Sequence, residues 1–194
     1  MSIVVLLILA VGGFWLWRGK LPVSSVLDNS EKFAAWQTYR SEKFGFEIKY
    51  PENWQMEKDY FQHAGDSLAL ISPETSEQTA ETVGENEFFF TGDVFVAVFD
   101  SISDFDSRLA SGQTLEDHFN LAGASNGYFL NNYYKTKLNG RVGYGAVYLG
   151  ALEQLVYLIE EDGKIYEIVF AQRSAEDKMT GLEKEILSTF KLSE

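Results

Sequence analysis

The chain has 194 residues, 45% of them hydrophobic, enough to bury one sizeable core. Its 29 acidic against 16 basic side chains give a formal charge of −13, a balance that repels phosphate backbones and disfavours nucleic-acid binding. Cysteine is absent, which excludes disulfides, thiolate metal sites, a cysteine nucleophile and a lipid-modified cysteine.

Ile3 to Trp17 is an unbroken apolar run followed by Arg18 and Lys20. As a helix it would reach about 22 Å, short of a hydrocarbon core of roughly 30 Å. Trp15 and Trp17 have the look of an interfacial belt. Three readings compete: an uncleaved signal-anchor, a cleaved signal peptide and a buried core helix. The run lacks the polar face of a soluble helix and continues past the conceivable cleavage point after Gly12. A membrane anchor over 1–20 is therefore expected, with a linker over 21–35 and a globular domain over 36–194. Both cations lie on the C-terminal side of the run, and the positive-inside rule taken alone places the domain in the cytoplasm.

Phe33, Trp36 and Tyr39 fit one face of a short helix or an entering strand. Phe44, Phe46, Ile48 and Tyr50 alternate with polar or small residues, a strand period that Pro51 ends. Ser67 to Ile71 reads as a further strand stopped by Pro73, and residues 73–87 as a solvated acidic loop. Val94 to Phe99 is apolar on both faces, the mark of a central strand. Thr114 with Asp117 three residues later caps a helix running to about Ala122 and ended by Gly123.

Asn139-Gly140 and Asp162-Gly163 are two-residue hairpin turns, with Gly150-Ala151 as a third reversal. They predict a four-strand meander near 129–138, 141–149, 152–160 and 164–171, the last two strands lying inside the sheet. Ser174 and Asp177 open a final helix whose buried stripe is Met179, Leu182, Ile186 and Phe190, with Gly181 weakening it.

The run Phe44-Gly45-Phe46-Glu47-Ile48-Lys49-Tyr50-Pro51-Glu52-Asn53-Trp54, the Asn-Gly turn, Asp162-Gly163-Lys164-Ile165-Tyr166 and the closing Ile186-Leu187-Ser188-Thr189-Phe190-Lys191 resemble the PsbP-like domains of the Mog1/PsbP fold. The resemblance covers about residues 36–192. It implies an α+β domain, an antiparallel β-sheet with flanking helices in an α/β/α-type sandwich, here preceded by one N-terminal transmembrane helix. Bacterial members of that family are often secreted or membrane-tethered, so a single-pass protein of the bacterial cytoplasmic membrane with an extracytoplasmic domain is expected. The matching residues fill cores and turns, and no functional residue carries over with them.

His63 and His118 stand in no metal-ligand spacing, and no nucleophile-elbow sequence is present. Both histidines are read as partly exposed surface residues. Asp100, Asp104 and Asp106 are read as caps and solvated loop rather than calcium ligands, and Glu160-Glu161-Asp162 as an acidic turn kept polar for solubility. No catalytic residue, metal or cofactor is assigned. Tyr133, Tyr134, Tyr144 and Tyr148 form the expected ligand or partner surface, against a plainer reading as cross-strand packing. Gly143 and Gly145 either admit a ligand or mark a bulge. The expected function is non-catalytic: a membrane-tethered domain engaging a protein partner in an envelope complex. Binding of an apolar or amphipathic small molecule is the alternative, and a hydrolase comes third.

Overall fold

The computed structural model describes residues 35–61, 64–82, 92–124, 129–130, 133–149, 153–171 and 179–193. The expected anchor and linker, His63, the Gly150-Ala151 reversal and the Ser174–Asp177 cap lie outside them. Among the described residues no helix is long and apolar enough to cross a membrane.

Eleven described strands form two antiparallel sheets. The smaller contains β1 (Trp36–Ser41), β2 (Phe46–Pro51) and β11 (Lys191–Leu192), in the order β1-β2-β11. The larger contains β3 (Gln55–Lys58), β4 (Asp66–Ile71), β5 (Val94–Phe99), β6 (Phe129–Leu130), β7 (Tyr134–Leu138), β8 (Arg141–Leu149), β9 (Glu153–Glu161) and β10 (Lys164–Ala171). Its order is β3-β4-β5-β10-β9-β8-β6, with β7 also paired to β8. The described helices are α1 (Pro73–Thr82), α2 (Ile102–Phe105), α3 (Leu115–Ala124) and α4 (Gly181–Thr189). This is an α+β fold.

The period-two reading of β2 holds: Phe46, Ile48 and Tyr50 are buried on one side. β5 is central as expected, held between β4 and β10 and buried on both faces. Asn139 and Asp162 adopt φ of 48° and 52°, and Gly140 and Gly163 adopt 87° and 75°, the left-handed pair that a two-residue hairpin requires. The first meander strand differs from expectation. It is split into β6 and β7, which pair with opposite ends of β8.

Two cores sandwich the larger sheet. On one face Phe46, Ile48, Val96, Ile168, Ile186 and Phe190 pack together. That layer is built from the small sheet as well as α4, so on this face the expected α/β/α-type sandwich carries a second sheet beside its helix. On the other face Phe95, Leu115, Phe119, Val156, Leu158 and Ile165 pack beneath α2 and α3.

Residues 73–82, read as loop, are helical. Ser72 accepts from the Thr75 backbone and Asp93 accepts from both Ser72 N and Thr75 Oγ1, so the first turn is anchored to the start of β5. Pro73 stops β4 and also pre-sets the helical φ at the first position, where its missing N–H costs nothing.

The last helix is capped by Thr180, with Glu183 completing a reciprocal capping box. Gly181 is thus its first residue, where the interior glycine penalty does not apply. Met179, Ile186 and Phe190 of the predicted stripe are buried and Leu187 joins them, while Leu182 is exposed.

Candidate functional site

Successive residues of a strand face opposite sides, and register sorts the four predicted tyrosines. Tyr144 and Tyr148 of β8 point into the α3-covered core. Tyr133, just before β7, stacks flat on Phe119 of α3 with ring centroids 4.4 Å apart, and lies 6.0 Å from Tyr144. Tyr134 is opposite Gly145, which pairs on its other side with Tyr157, and projects to the other face. The four therefore do not form one surface. Tyr133, Tyr144 and Tyr148 gather on one side and Tyr134 stands apart.

Gly145 has a packing reason. A Cβ there would lie 2.5 Å from Cζ of Tyr134, whose ring crosses the space a side chain would fill. At Gly143 a Cβ would meet the Leu158 carbonyl oxygen at 2.5 Å. Neighbouring strand and ring, rather than a ligand or a bulge, require these glycines.

Beneath the tyrosines runs a buried polar chain. Asp106 caps the C-terminal end of α2 and is gripped by Arg108, with Nε at 2.8 Å and Nη2 at 2.7 Å. His118 Nδ1 lies 2.7 Å from the same carboxylate and Nε2 lies 3.3 Å from the Tyr148 hydroxyl. An ionised carboxylate only accepts, so Nδ1 carries the proton and Nε2 accepts from Tyr148. The Arg108 hydrogen bond, against the opposing effect of burial, holds the Asp106 carboxyl well below the usual range. Burial lowers the His118 pKa despite its carboxylate partner, and burial followed by the nearby Glu167 charge raises Tyr148 well above an ordinary phenol.

Glu167 of β10 lies on this same face, between Leu158 and Ala97. Desolvation pushes its carboxyl up to about 7. Among the described residues no three His, Cys, Asp or Glu side chains converge to hold a metal ion.

These placements correct two expectations. His118, read as a partly exposed surface residue, is 8% exposed, and Asp106, read as a cap in a solvated loop, holds a cap position but is equally buried. Twelve residues separate them, and no periodicity links them. The one signal available was apolar company: Phe105 and Phe119 flank Asp106 and His118, and their rings lie 4.9 and 5.2 Å from the imidazole. Asp104 does act as a local cap partner, accepting from Ser101. The acidic β9–β10 turn is also more than a solubilising tip, since Glu161 pairs with Arg141 and Glu160 accepts from the Leu115 backbone at 3.4 Å.

Outside the buried chain, the face ends in an exposed edge. Val142 is 60% exposed and Tyr133 38% exposed. Val142, Tyr144, Lys135 and Lys137 share this face, because Lys137 pairs with Val142 and Lys135 with Tyr144 across the β7–β8 ladder. Lys135 reaches Glu116 of α3 at 3.2 Å, bracing strand against helix. An apolar strip flanked by lysines thus sits on an otherwise acidic molecule.

No family model matches the chain, and no curated protein sequence is detectably similar to it. Among solved structures the chain is similar to cyanobacterial PsbP from Synechocystis sp. PCC 6803, at 19% identity and a TM-score of 0.48, covering 82% of this chain and 93% of that one. It is also similar to the Ran-binding protein Mog1p of Saccharomyces cerevisiae, at 9% identity and a TM-score of 0.37, covering 81% and 95% respectively.

Proposed function

We propose that this chain is a non-catalytic, PsbP-like interaction module, tethered to the bacterial cytoplasmic membrane by its first twenty residues and displayed outside it. The observation that carries the reading is the stacking of Tyr133 on Phe119. It fixes an exposed aromatic ring on a buried one, so a partner meets a pre-organised contact that loses little entropy on binding. Val142 and Tyr144 extend the strip, and Lys135 and Lys137 supply a polar rim. The motifs at 44–54 and 186–191 support the family, and the apolar run at 3–17 supports the tether.

The histidine favours a structural role over catalysis. Both ring nitrogens of His118, a residue of α3, are engaged, one by Asp106 and one by Tyr148. A general base acts on substrate or on a nucleophile open to it, and this imidazole is buried.

Native mass spectrometry of the full-length protein, gently extracted from its own membranes, tests the proposal. A stoichiometric protein partner that disappears in a Tyr133→Ser/Val142→Ser variant of unchanged stability is the expected result. A bare monomer, or a partner retained by that variant, contradicts it.

A further inference from the structure

Beyond β8 the large sheet ends in β7, and the hairpin geometry fixes which β7 backbone groups face outward. A two-residue turn makes its flanking residues a hydrogen-bonded pair, here Leu138 with Arg141. Such pairs alternate with non-bonded ones along an antiparallel ladder, so Thr136 with Gly143 and Tyr134 with Gly145 are the other bonded pairs. Lys137 and Lys135, opposite Val142 and Tyr144, therefore turn their N–H and C=O groups away from β8. Among the described residues β7 pairs only with β8, and no turn or loop bond reaches the backbone of either lysine.

The side chains along this open edge are selective. Tyr133, two residues before Lys135, continues the row and is held flat on Phe119. Lys135 is engaged by Glu116, whereas Lys137 is exposed and has no acidic partner among the described residues. A second copy of β7 paired about Thr136 would set Lys135 against Lys137, like charge facing like. An antiparallel strand with an acid opposite Lys137 and an apolar residue opposite Tyr133 meets a complementary row instead. The chain as a whole carries a formal −13, so an acidic segment is repelled elsewhere and the free lysine sets where it lands.

We propose that the partner of this chain binds by strand addition: an extended acidic segment pairs antiparallel with β7, its backbone on the outward groups of Lys135 and Lys137, a carboxylate on Lys137 and an apolar side chain on Tyr133. Main-chain hydrogen bonds supply the affinity, and the alternating side chains supply the specificity. The inference rests on the partner-binding reading above and names the mode of that contact.

The test titrates ¹⁵N-labelled full-length protein in phosphatidylcholine nanodiscs with the peptide acetyl-Thr-Glu-Val-Thr-Val-Leu-Thr-amide. The control peptide is N-methylated at its central threonine, which faces Lys135 and loses its donor. Lys137→Pro removes the outward N–H and leaves the ladder to β8 intact, a change that edge strands admit. Lys137→Gln keeps the N–H and removes the charge. Saturable shifts of the Lys135 and Lys137 amide signals are expected, weakened at least tenfold by N-methylation and at least tenfold in Lys137→Pro. Lys137→Gln should weaken binding about threefold, the scale of one cross-strand charge pair. Folding of each variant is checked by an unchanged amide spectrum away from β7.

Three results overturn the proposal: no saturation by about 10 mM, where even a millimolar site is filled; equal affinity for the N-methylated peptide; or unaltered binding in Lys137→Pro. Unaltered binding in Lys137→Gln overturns the acidic assignment. A concentration-dependent dimer of the detergent-solubilised protein, lost in Lys137→Pro, overturns the proposal in favour of a second copy. Native mass spectrometry separates strand addition from the reading it rests on. A partner kept by Lys137→Pro but lost from Tyr133→Ser/Val142→Ser sinks strand addition alone, and a partner kept by both variants sinks the aromatic strip as well.

Discussion

The Nδ1 atom of His118 lies 2.7 Å from a carboxylate oxygen of Asp106, joining α3 to the turn that ends α2. Because Nε2 also accepts from Tyr148, one imidazole ties three segments of chain to a single face of the large sheet. His118→Ala removes this tie, leaves the buried Tyr148 hydroxyl without its acceptor and opens a void beside Phe119. A loss of about 2–4 kcal/mol is expected from the combined hydrogen-bond and cavity terms, read as a lowered urea midpoint with an unchanged slope.

Acidification probes the same chain. The His118 pKa is depressed in the folded state, so the unfolded chain binds its proton first and stability falls as the pH drops below about 6.5. The Asp106 pKa is also depressed, so its contribution is present above about 4 and is lost as the pH falls further. Urea melts of wild type and His118→Phe between pH 8 and 5 check the first step. The gap between the two should narrow toward pH 5, because only the wild type carries the imidazole penalty.

Glu167 has the opposite sign. With a folded pKa raised to about 7, the native state holds a proton that the unfolded state has released, and stability declines as the pH rises from about 4.5 to 7. Glu167→Gln keeps the shape and removes the charge. A gain of about 1–2 kcal/mol at pH 8, vanishing near pH 4.5, is the expected outcome by the same urea melts; the figure allows for the partial exposure of the side chain.

The two strand glycines should rank in a definite order. At Gly143 an added methyl meets the Leu158 backbone oxygen, which cannot swing away, whereas at Gly145 it meets the ring of Tyr134, which can. Gly143→Ala is expected to cost about 2–3 kcal/mol and Gly145→Ala about 1–2. Adding Tyr134→Ala to Gly145→Ala should recover part of that loss. A double-mutant cycle measures the coupling, expected at about 1 kcal/mol.

Local signals carried most of the fold. The Asn139-Gly140 and Asp162-Gly163 turns, the alternation from Phe46 to Tyr50 and the two-sided apolar run of β5 each state their geometry in a few adjacent residues. Signals with two meanings were harder. Pro73 reads as a strand stop, yet Ser72-Pro73-Glu74 also carries a cap, a first-position proline and an acidic first turn, which is a helix start. Thr180, with Glu183 three residues on, was an equally local cap for α4.

The site was less legible, for a physical reason. Asp106 and His118 meet through the packing of α2 and α3 on the sheet, and no period of two or 3.6 encodes that approach. Tyr133 and Tyr134 are a different matter. Grouping adjacent residues of an entering strand on one surface conflicts with strand geometry, and the Gly145 opposite Tyr134 marked which face that ring would cross.

Site-specific photocrosslinking in the native host's cells tests the central reading most directly. A benzophenone residue replaces Val142 on the aromatic strip, or Leu182, an exposed residue of α4, as a control. One discrete protein adduct is expected from position 142, abolished by Tyr133→Ser, and none of that size from position 182. No adduct at 142, or the same adduct from both positions, would contradict it.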